Sequence, residues 1–349
     1  MNRVFLVLPL IVLALLAAIG SGLERMGWTV QADRFAAVHS ALMVGSFLSS
    51  LIFLERAVTL PSRLWLLLPA GNAASLLCFA AGQPQPAYLL LSAGAAGFLG
   101  LCLYFLYRYR ELYYYVFVAG AVCLLAGNLS LLSGQAYGAA VPWWMGFLLL
   151  TIVAERLELS RFLQLTAGKR NLLLAALAIV LLALSWPFAA GGEVALAIGL
   201  TAVSAWLLRY DMARHAVRAS GQHRYSALLL IVGYGWLLVT AALLVQAPLP
   251  FVYDALLHSF FIGFVFAMIF SHAPIILPAI ARWPVKLYRP FLYVPFVLLQ
   301  ATLVLRLVGD SIGDAALRRA GGLGNAGSML LFFGAIAVIV GQERRKRKG

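Results

Sequence analysis

Long apolar runs separated by short polar segments fill this sequence from end to end. Each run is close to the roughly 20 residues that an α-helix needs to cross the hydrocarbon core of a bilayer. Strands of a membrane barrel would instead alternate apolar and polar residues over about ten positions. The pattern therefore predicts an all-α, polytopic transmembrane helix bundle of about twelve helices. The predicted runs lie at about 3–21, 35–54, 63–81, 86–107, 113–133, 141–155, 171–190, 192–208, 225–247, 252–280, 288–308 and 326–342.

Positive charge is concentrated in every second loop between these runs. Because lysine and arginine are retained on the cytoplasmic side, the alternation predicts that both termini are cytoplasmic, with residues 343–349 as a basic cytoplasmic tail. The other loops, such as residues 82–86, carry almost no charge. The first and eleventh loops are exceptions, because Glu24 and Asp33 offset Arg25 and Arg34 in the first, and Asp310 and Asp314 offset Arg318 and Arg319 in the eleventh. The basic loop residues are Arg56, Arg63, Arg108, Arg110, Arg161, Lys169, Arg170, Arg209, Arg214, Arg218, Arg224, Arg282, Lys286 and Arg289.

The composition excludes an ordinary soluble domain. The chain is 63% hydrophobic and 11% charged, whereas soluble domains are about 45–50% apolar and about 25% charged. We therefore expect a single integral membrane domain over residues 1–349, with the lipid bilayer as its solvent. The net charge of +14 is explained by the basic loops, so we expect no nucleic-acid partner.

Three of the five histidines fall inside predicted membrane helices. His39 lies in run two, and His258 and His272 lie in run ten, while His215 and His223 lie in a basic loop. An ionisable group at membrane depth is costly and is a functional candidate by default. From the predicted topology, His39 and His258 lie about 7 and 6 Å inside the non-cytoplasmic end of their helices. Two imidazoles at one level can clamp a haem iron or contribute to a copper site.

Three further polar or sulfur-containing side chains belong to this hypothesis. Met43 is one turn from His39 and could add a ligand to a copper site or simply pack in the bundle. Asp254 is one turn before His258 and could orient its imidazole or mark the membrane interface. Asn128, near the outer end of run five, is another polar group that could support the site.

Helical periodicity predicts that these residues face the bundle interior. His272 is 14 residues beyond His258, which in an α-helix is nearly the same face about 21 Å deeper. It could be a metal ligand, or it could bond a carbonyl freed by Pro274. The alternative for all three histidines is a hydrogen bond to a serine or a carbonyl of another helix. The predicted interior stripes are His39, Met43, Ser46 and Ser50, and Asp254, His258, Val265, Ile269 and His272.

Two short segments resemble a known family. His39 begins the run HSALMVGSF, which resembles the early His-x-x-x-Met-x-x-Gly-Phe motif of NnrS-type membrane proteins, with Ser46 inserted before the phenylalanine. His258 begins HSFFIG, which resembles that family's later His-x-x-x-x-Gly segment, and His272 matches the histidine near the helix exit. The predicted helix count agrees with that family.

This resemblance implies haem or copper binding and relief of nitric-oxide stress in the bacterial inner membrane. Its distant likeness is to the catalytic subunit of haem–copper oxidases, which needs more histidines than the three that fall in membrane helices here. One bis-histidine haem or one small metal site is therefore the most that we expect. Partners would come from the respiratory chain or from nitric-oxide metabolism.

Two other function classes remain open at this stage. A multi-pass transporter or permease could use the same polar groups as a substrate or proton path, as broken helices often do. An assembly partner of a respiratory complex is the other. The pairs Glu55–Arg56 and Glu155–Arg156 are predicted to be interfacial anchors or ion pairs. No catalytic residue can be assigned, so enzymatic activity is left undecided.

Overall fold

The structure is a computed structural model that describes residues 4–160, 163, 165–186, 191–246, 250–280 and 285–346. Its secondary structure is 86% helical, and no strand occurs in the described ranges, which confirms the all-α prediction. The loop arginines Arg161 and Arg282 and the tail residues 347–349 lie outside the described residues.

The chain divides into two compact units, which are described separately. Unit 1 comprises Met1–Ala154 and Ala279–Trp283, and unit 2 comprises Glu155–Pro278 and Pro284–Gly349. Within unit 1, α1 packs against α2, α4 and a π-helix named π1, and α6 packs along α7. The helices that begin in unit 1 are α1 Val4–Arg25, α2 Asp33–Ala36, π1 Ala41–Ser49, α3 Ser50–Ala57, α4 Leu67–Ala73, α5 Ser75–Ala80, α6 Pro84–Tyr109, α7 Leu112–Leu132 and α8 Tyr137–Ser160.

Unit 2 contains the remaining helices and the end of α8. Here α10 packs between α9 and α12, a second π-helix named π2 packs on α12, and α15 packs along α16. The bounds are α9 Ala167–Leu184, α10 Gly192–Tyr210, α11 Ala213–Ala216, α12 Gly221–Val245, α13 Val252–His258, π2 Ser259–Phe266, α14 Ala267–Ile280, α15 Tyr293–Ile312 and α16 Ala315–Lys346.

Eleven segments of the described chain are long and apolar enough to cross a membrane. Large apolar side chains point outward from them, including Leu182 at 66% exposure, as lipid contact requires. The chain is a multi-pass helical membrane protein. Predicted run two is not among the eleven; in this region α2 is followed by π1 and α3, which follow one another directly over residues 41–57.

The two π-helices change the expected arrangement of faces. An α-helix bonds each amide to the carbonyl four residues back, whereas a π-helix bonds five residues back, so side chains no longer repeat with the α-helical period. In π2, every residue except Phe261 is buried, and in π1 every residue except Met43 is buried. Of the predicted stripe residues in these segments, Ser46 and Val265 are buried as predicted and Met43 is not, and burial extends around each π-helix instead of following a single stripe.

The last two helices form a close antiparallel pair. Predicted run twelve began at 326, but α16 begins at Ala315, where the Asp314 carboxylate accepts the amides of Ala316 and Leu317. A Cβ atom at Gly309 would meet the backbone of Arg318, and one at Gly321 would meet the backbone of Arg306. Small residues thus let α15 and α16 approach closely.

Candidate functional site

The His39 imidazole is held against α1 in unit 1. Its Nδ1 lies 2.9 Å from the carbonyl oxygen of Ala18 and 3.0 Å from the Ser21 hydroxyl, which itself donates to the same carbonyl at 2.8 Å. The ring also lies over Gly22, where a Cβ atom would come within 3.0 Å of His39 Cε1. Ala18, Ser21 and Gly22 of α1 therefore set the position of the half-buried imidazole.

The loop before His39 is closed by a carboxylate from the end of α1. Glu24 Oε2 accepts the amide of Val30 at 3.0 Å and that of Ala32 at 3.2 Å. These bonds bring the chain back toward α1 just before α2 begins at Asp33. His39 then lies two residues before π1, in the same short connection.

The His258 imidazole is anchored within its own helix in unit 2. Its Nδ1 lies 2.7 Å from the carbonyl oxygen of Asp254 and 3.5 Å from the Asp254 carboxylate. His258 is the last residue of α13, and π2 begins at the next residue. The orienting group is thus the Asp254 carbonyl rather than its side chain.

The Asp254 carboxylate is instead engaged by two arginines from the α15–α16 pair. Its Oδ2 accepts from Arg306 Nη2 at 2.8 Å and from Arg306 Nε at 3.2 Å, and Arg318 Nη2 is 3.3 Å away. Arg318 also bonds Asp310 through Nε, and its guanidinium lies 3.7 Å above the centre of the Phe251 ring. Two acidic and two basic side chains therefore compensate one another beside His258.

The third intramembrane histidine follows the same local pattern as His258. His272 Nδ1 lies 2.9 Å from the carbonyl oxygen of Met268, four residues earlier in α14. The predicted alternative was a carbonyl freed by Pro274, which would be that of Phe270. The bond is made to Met268 instead.

All three imidazoles share one hydrogen-bonding pattern. A carbonyl oxygen can only accept, so each Nδ1 carries a proton in these bonds, and in the neutral imidazole Nε2 is then the nitrogen with the lone pair. Histidines that bind metals usually donate their other ring nitrogen to a carbonyl or a carboxylate in this way, which fixes the tautomer and the ring orientation. The donor set therefore fits an Nε2 ligand, although the same bonds also serve a purely structural histidine.

Asn128 and Met43 are the other two residues that the sequence placed at the site. Asn128 donates to the Leu91 carbonyl at 2.8 Å and accepts from Trp144 Nε1 at 3.0 Å, so both ends of its buried amide are bonded in unit 1. Met43 is half-buried within π1. Throughout the described parts of the chain, no three His, Cys, Asp or Glu side chains are grouped so that they could hold a metal ion. An axial haem ligand does not need such a group.

Sequence reasoning did not connect Arg306 and Arg318 with His258. Arg306 lies inside an apolar run, and an isolated arginine there is itself a signal that a partner must be close. Arg318 was placed in the eleventh loop opposite Asp310; it lies in the first turn of α16 and does bond Asp310. The spacing Arg306–Asp310, one helical turn, could have indicated the network.

Comparison with known proteins identifies a family but no activity. No curated protein matches the chain, and no solved structure matches it. The family model described as "Domain of unknown function (DUF8744)" matches residues 3–341, almost the entire chain. The protein therefore belongs to the DUF8744 family.

Proposed function

We propose that this chain is an NnrS-like membrane protein that binds haem or copper through intramembrane histidines, with His39 of unit 1 and His258 of unit 2 each as a candidate ligand. The observation that carries the proposal is the bond from each Nδ1 to a backbone carbonyl, at 2.9 and 2.7 Å. With the proton on Nδ1, Nε2 is the nitrogen of the neutral imidazole that can bind a metal. A bound haem iron or copper would supply one-electron chemistry or a binding position for nitric oxide.

A second support is the local backbone beside each of these histidines. His39 lies two residues before π1, and His258 immediately precedes π2. π-Helical segments are uncommon and occur frequently at functional sites. Ionisable side chains at membrane depth are also retained mainly where they have a function. In this proposal His272 and Met43 are secondary candidates for a metal, and Asp254 and Asn128 are supporting groups.

The proposed setting is the inner membrane of a bacterium, with twelve crossings and both termini in the cytoplasm. The role would lie in respiratory or nitric-oxide stress, with partners from those systems. Reporter fusions after residue 346 and within residues 82–86 test the topology. The proposal expects a cytoplasmic signal from the first fusion and a non-cytoplasmic signal from the second, and the reverse result would contradict it.

Cofactor analysis of the purified full-length protein tests the chemical part. Cells are supplied with a haem precursor and with copper, and the detergent-purified protein is examined for a Soret band and for copper content. The proposal expects haem or copper close to stoichiometric with protein. Protein that contains neither under both supplies would overturn it.

A transporter or permease is the second candidate, and a specific observation favours it. π1 and π2 interrupt otherwise apolar helices, and charged residues such as Asp254 and Arg306 lie within the membrane-spanning segments. Broken helices and intramembrane charges line substrate paths in many transporters. Substrate-dependent uptake into vesicles that is unaffected by His39→Ala would favour this function over cofactor binding.

A further inference from the structure

Three basic side chains come together at the start of α9 and the end of α10 in unit 2. Lys169 Nζ and Arg209 Cζ each lie 5.3 Å from the centre of the Tyr210 ring. Arg214 donates from Nη1 to the Arg209 carbonyl at 3.2 Å. The Lys169 carbonyl accepts from Trp206 Nε1 at 2.7 Å, which ties the start of α9 to the end of α10. The three cations and the Tyr210 ring are named the Tyr210 cluster.

The positive charge of the Tyr210 cluster is not compensated by an acidic neighbour. Within the described part of the chain, none of its three cations forms an ion pair, and the first turn of α9 contains no acidic residue. Asp211 directly follows the cluster in sequence, but it is buried and its Oδ1 accepts the Ala213 amide at 2.7 Å. The three cations are exposed, so an anion outside the chain can reach them.

The Tyr210 cluster lies at the ends of two candidate membrane spans. The span formed by α9 begins at Ala167, and the span formed by α10 ends at Tyr210. The two helices are consecutive and pack against each other, so these two ends lie at the same face of the bilayer. Tyrosine and tryptophan rings are enriched at the membrane–water interface. The cluster is therefore at the level of the lipid headgroups.

An exposed apolar face continues from the Tyr210 cluster toward the bilayer centre. On α10, Arg209, Ala205 and Ile198 are all exposed, and their spacings of four and seven residues place them on one side of the helix. On α9, Leu172 is 56% exposed and lies one turn from Lys169. The helix from Arg209 to Ile198 covers about 16 Å, close to half of the roughly 30 Å hydrocarbon core. The surface thus fits a molecule with a negative head and an apolar body one leaflet long.

We propose that the Tyr210 cluster binds the phosphate of an anionic phospholipid, with the acyl chains along the exposed faces of α9 and α10. Basic side chains at the membrane surface attract anionic lipid, and basic sites between membrane helices bind its headgroups. A free anion would engage the cations alone and leave the apolar face unused. This surface does not depend on the cofactor proposal, so failure of one leaves the other standing.

A lipid competition experiment tests this inference. Phosphatidylglycerol and phosphatidylcholine with the same acyl chains are added in equal amounts to the delipidated full-length protein in a neutral detergent, and native mass spectrometry identifies the first lipid bound. We expect the wild type to prefer phosphatidylglycerol. Lys169→Gln and Arg209→Gln should each lower that preference about five-fold, since one cation is lost from the surface in each.

Two control variants separate the cluster from net charge and from folding. Arg108→Gln removes an exposed arginine from the last turn of α6 in unit 1, and it should leave the preference unchanged. Lys169→Arg keeps the charge and should keep the preference.

Four results would overturn the proposal. They are a wild type without preference for phosphatidylglycerol, an equal loss in Arg108→Gln, a loss in Lys169→Arg, and displacement of phosphatidylglycerol by an equal concentration of inorganic phosphate. The last result would show that the cluster binds a free anion rather than a lipid.

Discussion

The His39 imidazole in unit 1 and the His258 imidazole in unit 2 are both held by a hydrogen bond to a carbonyl, but the groups around them differ. His39 bonds the carbonyl of Ala18 on another helix, 21 residues earlier, with a hydroxyl and a glycine beside it. His258 bonds the carbonyl of Asp254 four residues earlier in its own helix, with four charged side chains beside it. One imidazole is therefore oriented by the packing of two helices, and the other by local geometry reinforced by ion pairs.

Because the two imidazoles are held by different contacts, we expect different substitutions to affect them. Loosening α1 should displace His39 and leave the local His258 bond intact. Removing a charge near His258 should instead destabilise unit 2, because a buried charge then loses its compensation. The following predictions test these two dependences, beginning with the charges.

The largest effect is expected from Arg306→Gln. Arg306 is 6% exposed as a residue and makes two bonds to Asp254 Oδ2. Losing hydrogen bonds to a charged group costs up to about 3 kcal/mol, and Arg318, which stays 3.3 Å from the partly exposed Asp254 carboxylate, keeps part of that charge compensated. Denaturant unfolding of the purified protein measures this cost.

The matched control is Arg289→Gln. Arg289 pairs with Glu343 at 2.8 Å, but its side chain is 41% exposed, so we expect a loss of about 0–1 kcal/mol. Equal losses for the two variants would show that the charges beside His258 do not behave as buried ones.

The next effect concerns the glycine beneath His39. In Gly22→Val the new side chain would occupy the space of the imidazole ring, since even a Cβ atom comes within 3.0 Å of Cε1. Overpacking of this kind costs about 1–3 kcal/mol. Thermal unfolding checks the cost. Gly100→Val is the control, because a Cβ atom at Gly100 meets nothing within 4 Å; a loss as large at Gly100 would contradict the packing argument.

A smaller loss is expected from Ser21→Ala. The Ser21 hydroxyl contacts both the Ala18 carbonyl and His39 Nδ1, and a buried hydrogen bond contributes about 1 kcal/mol. Ser133→Ala removes a similar bond to the carbonyl three residues back, but at an exposed position. We expect Ser133→Ala to change the unfolding free energy less than Ser21→Ala, and the opposite order would count against an ordered hydroxyl at His39.

The smallest expected effect is on the pH dependence of stability, and the residue responsible is Asp211. Burial raises the pKa of its carboxyl above the ordinary 3.8, against the opposing charge of Arg156 and the Ala213 amide. A carboxyl whose folded pKa is raised contributes stability below its unfolded pKa, and this is lost as the pH rises through the folded value. The wild-type protein should therefore lose Tm relative to Asp211→Asn as the pH rises above 3.8. A difference that is constant across this window would contradict the raised pKa.

Much of the fold follows from the sequence, because continuous apolar runs of membrane length specify helices without any tertiary information. The π-helices could not be predicted, since segments as apolar as π1 and π2, broken only by serine and glycine, carry no periodicity that separates a π-helix from an α-helix. Run two was expected to be one helix, and its division around π1 shows this limit.

The two histidines show which parts of a site are predictable. Asp254 was associated with His258 from its spacing alone, because the interaction is local. Ala18 and Ser21 could not be associated with His39, because their contact depends on how α1 packs. The pairs Glu55–Arg56 and Glu155–Arg156 look alike in sequence, yet Arg56 lies 4.3 Å from the centre of the Phe117 ring and Arg156 faces Asp211. Only tertiary structure distinguishes those two outcomes.

The most direct test of the cofactor proposal is the absorption spectrum and copper content of four matched proteins. These are the wild type, His39→Ala, His258→Ala and the control His215→Ala, whose histidine lies in the short helix α11 between two membrane segments. The proposal predicts that the wild type and His215→Ala carry the same haem or copper, and that His39→Ala and His258→Ala each lose it or show an altered Soret band. Identical spectra and copper contents in all four proteins would contradict it.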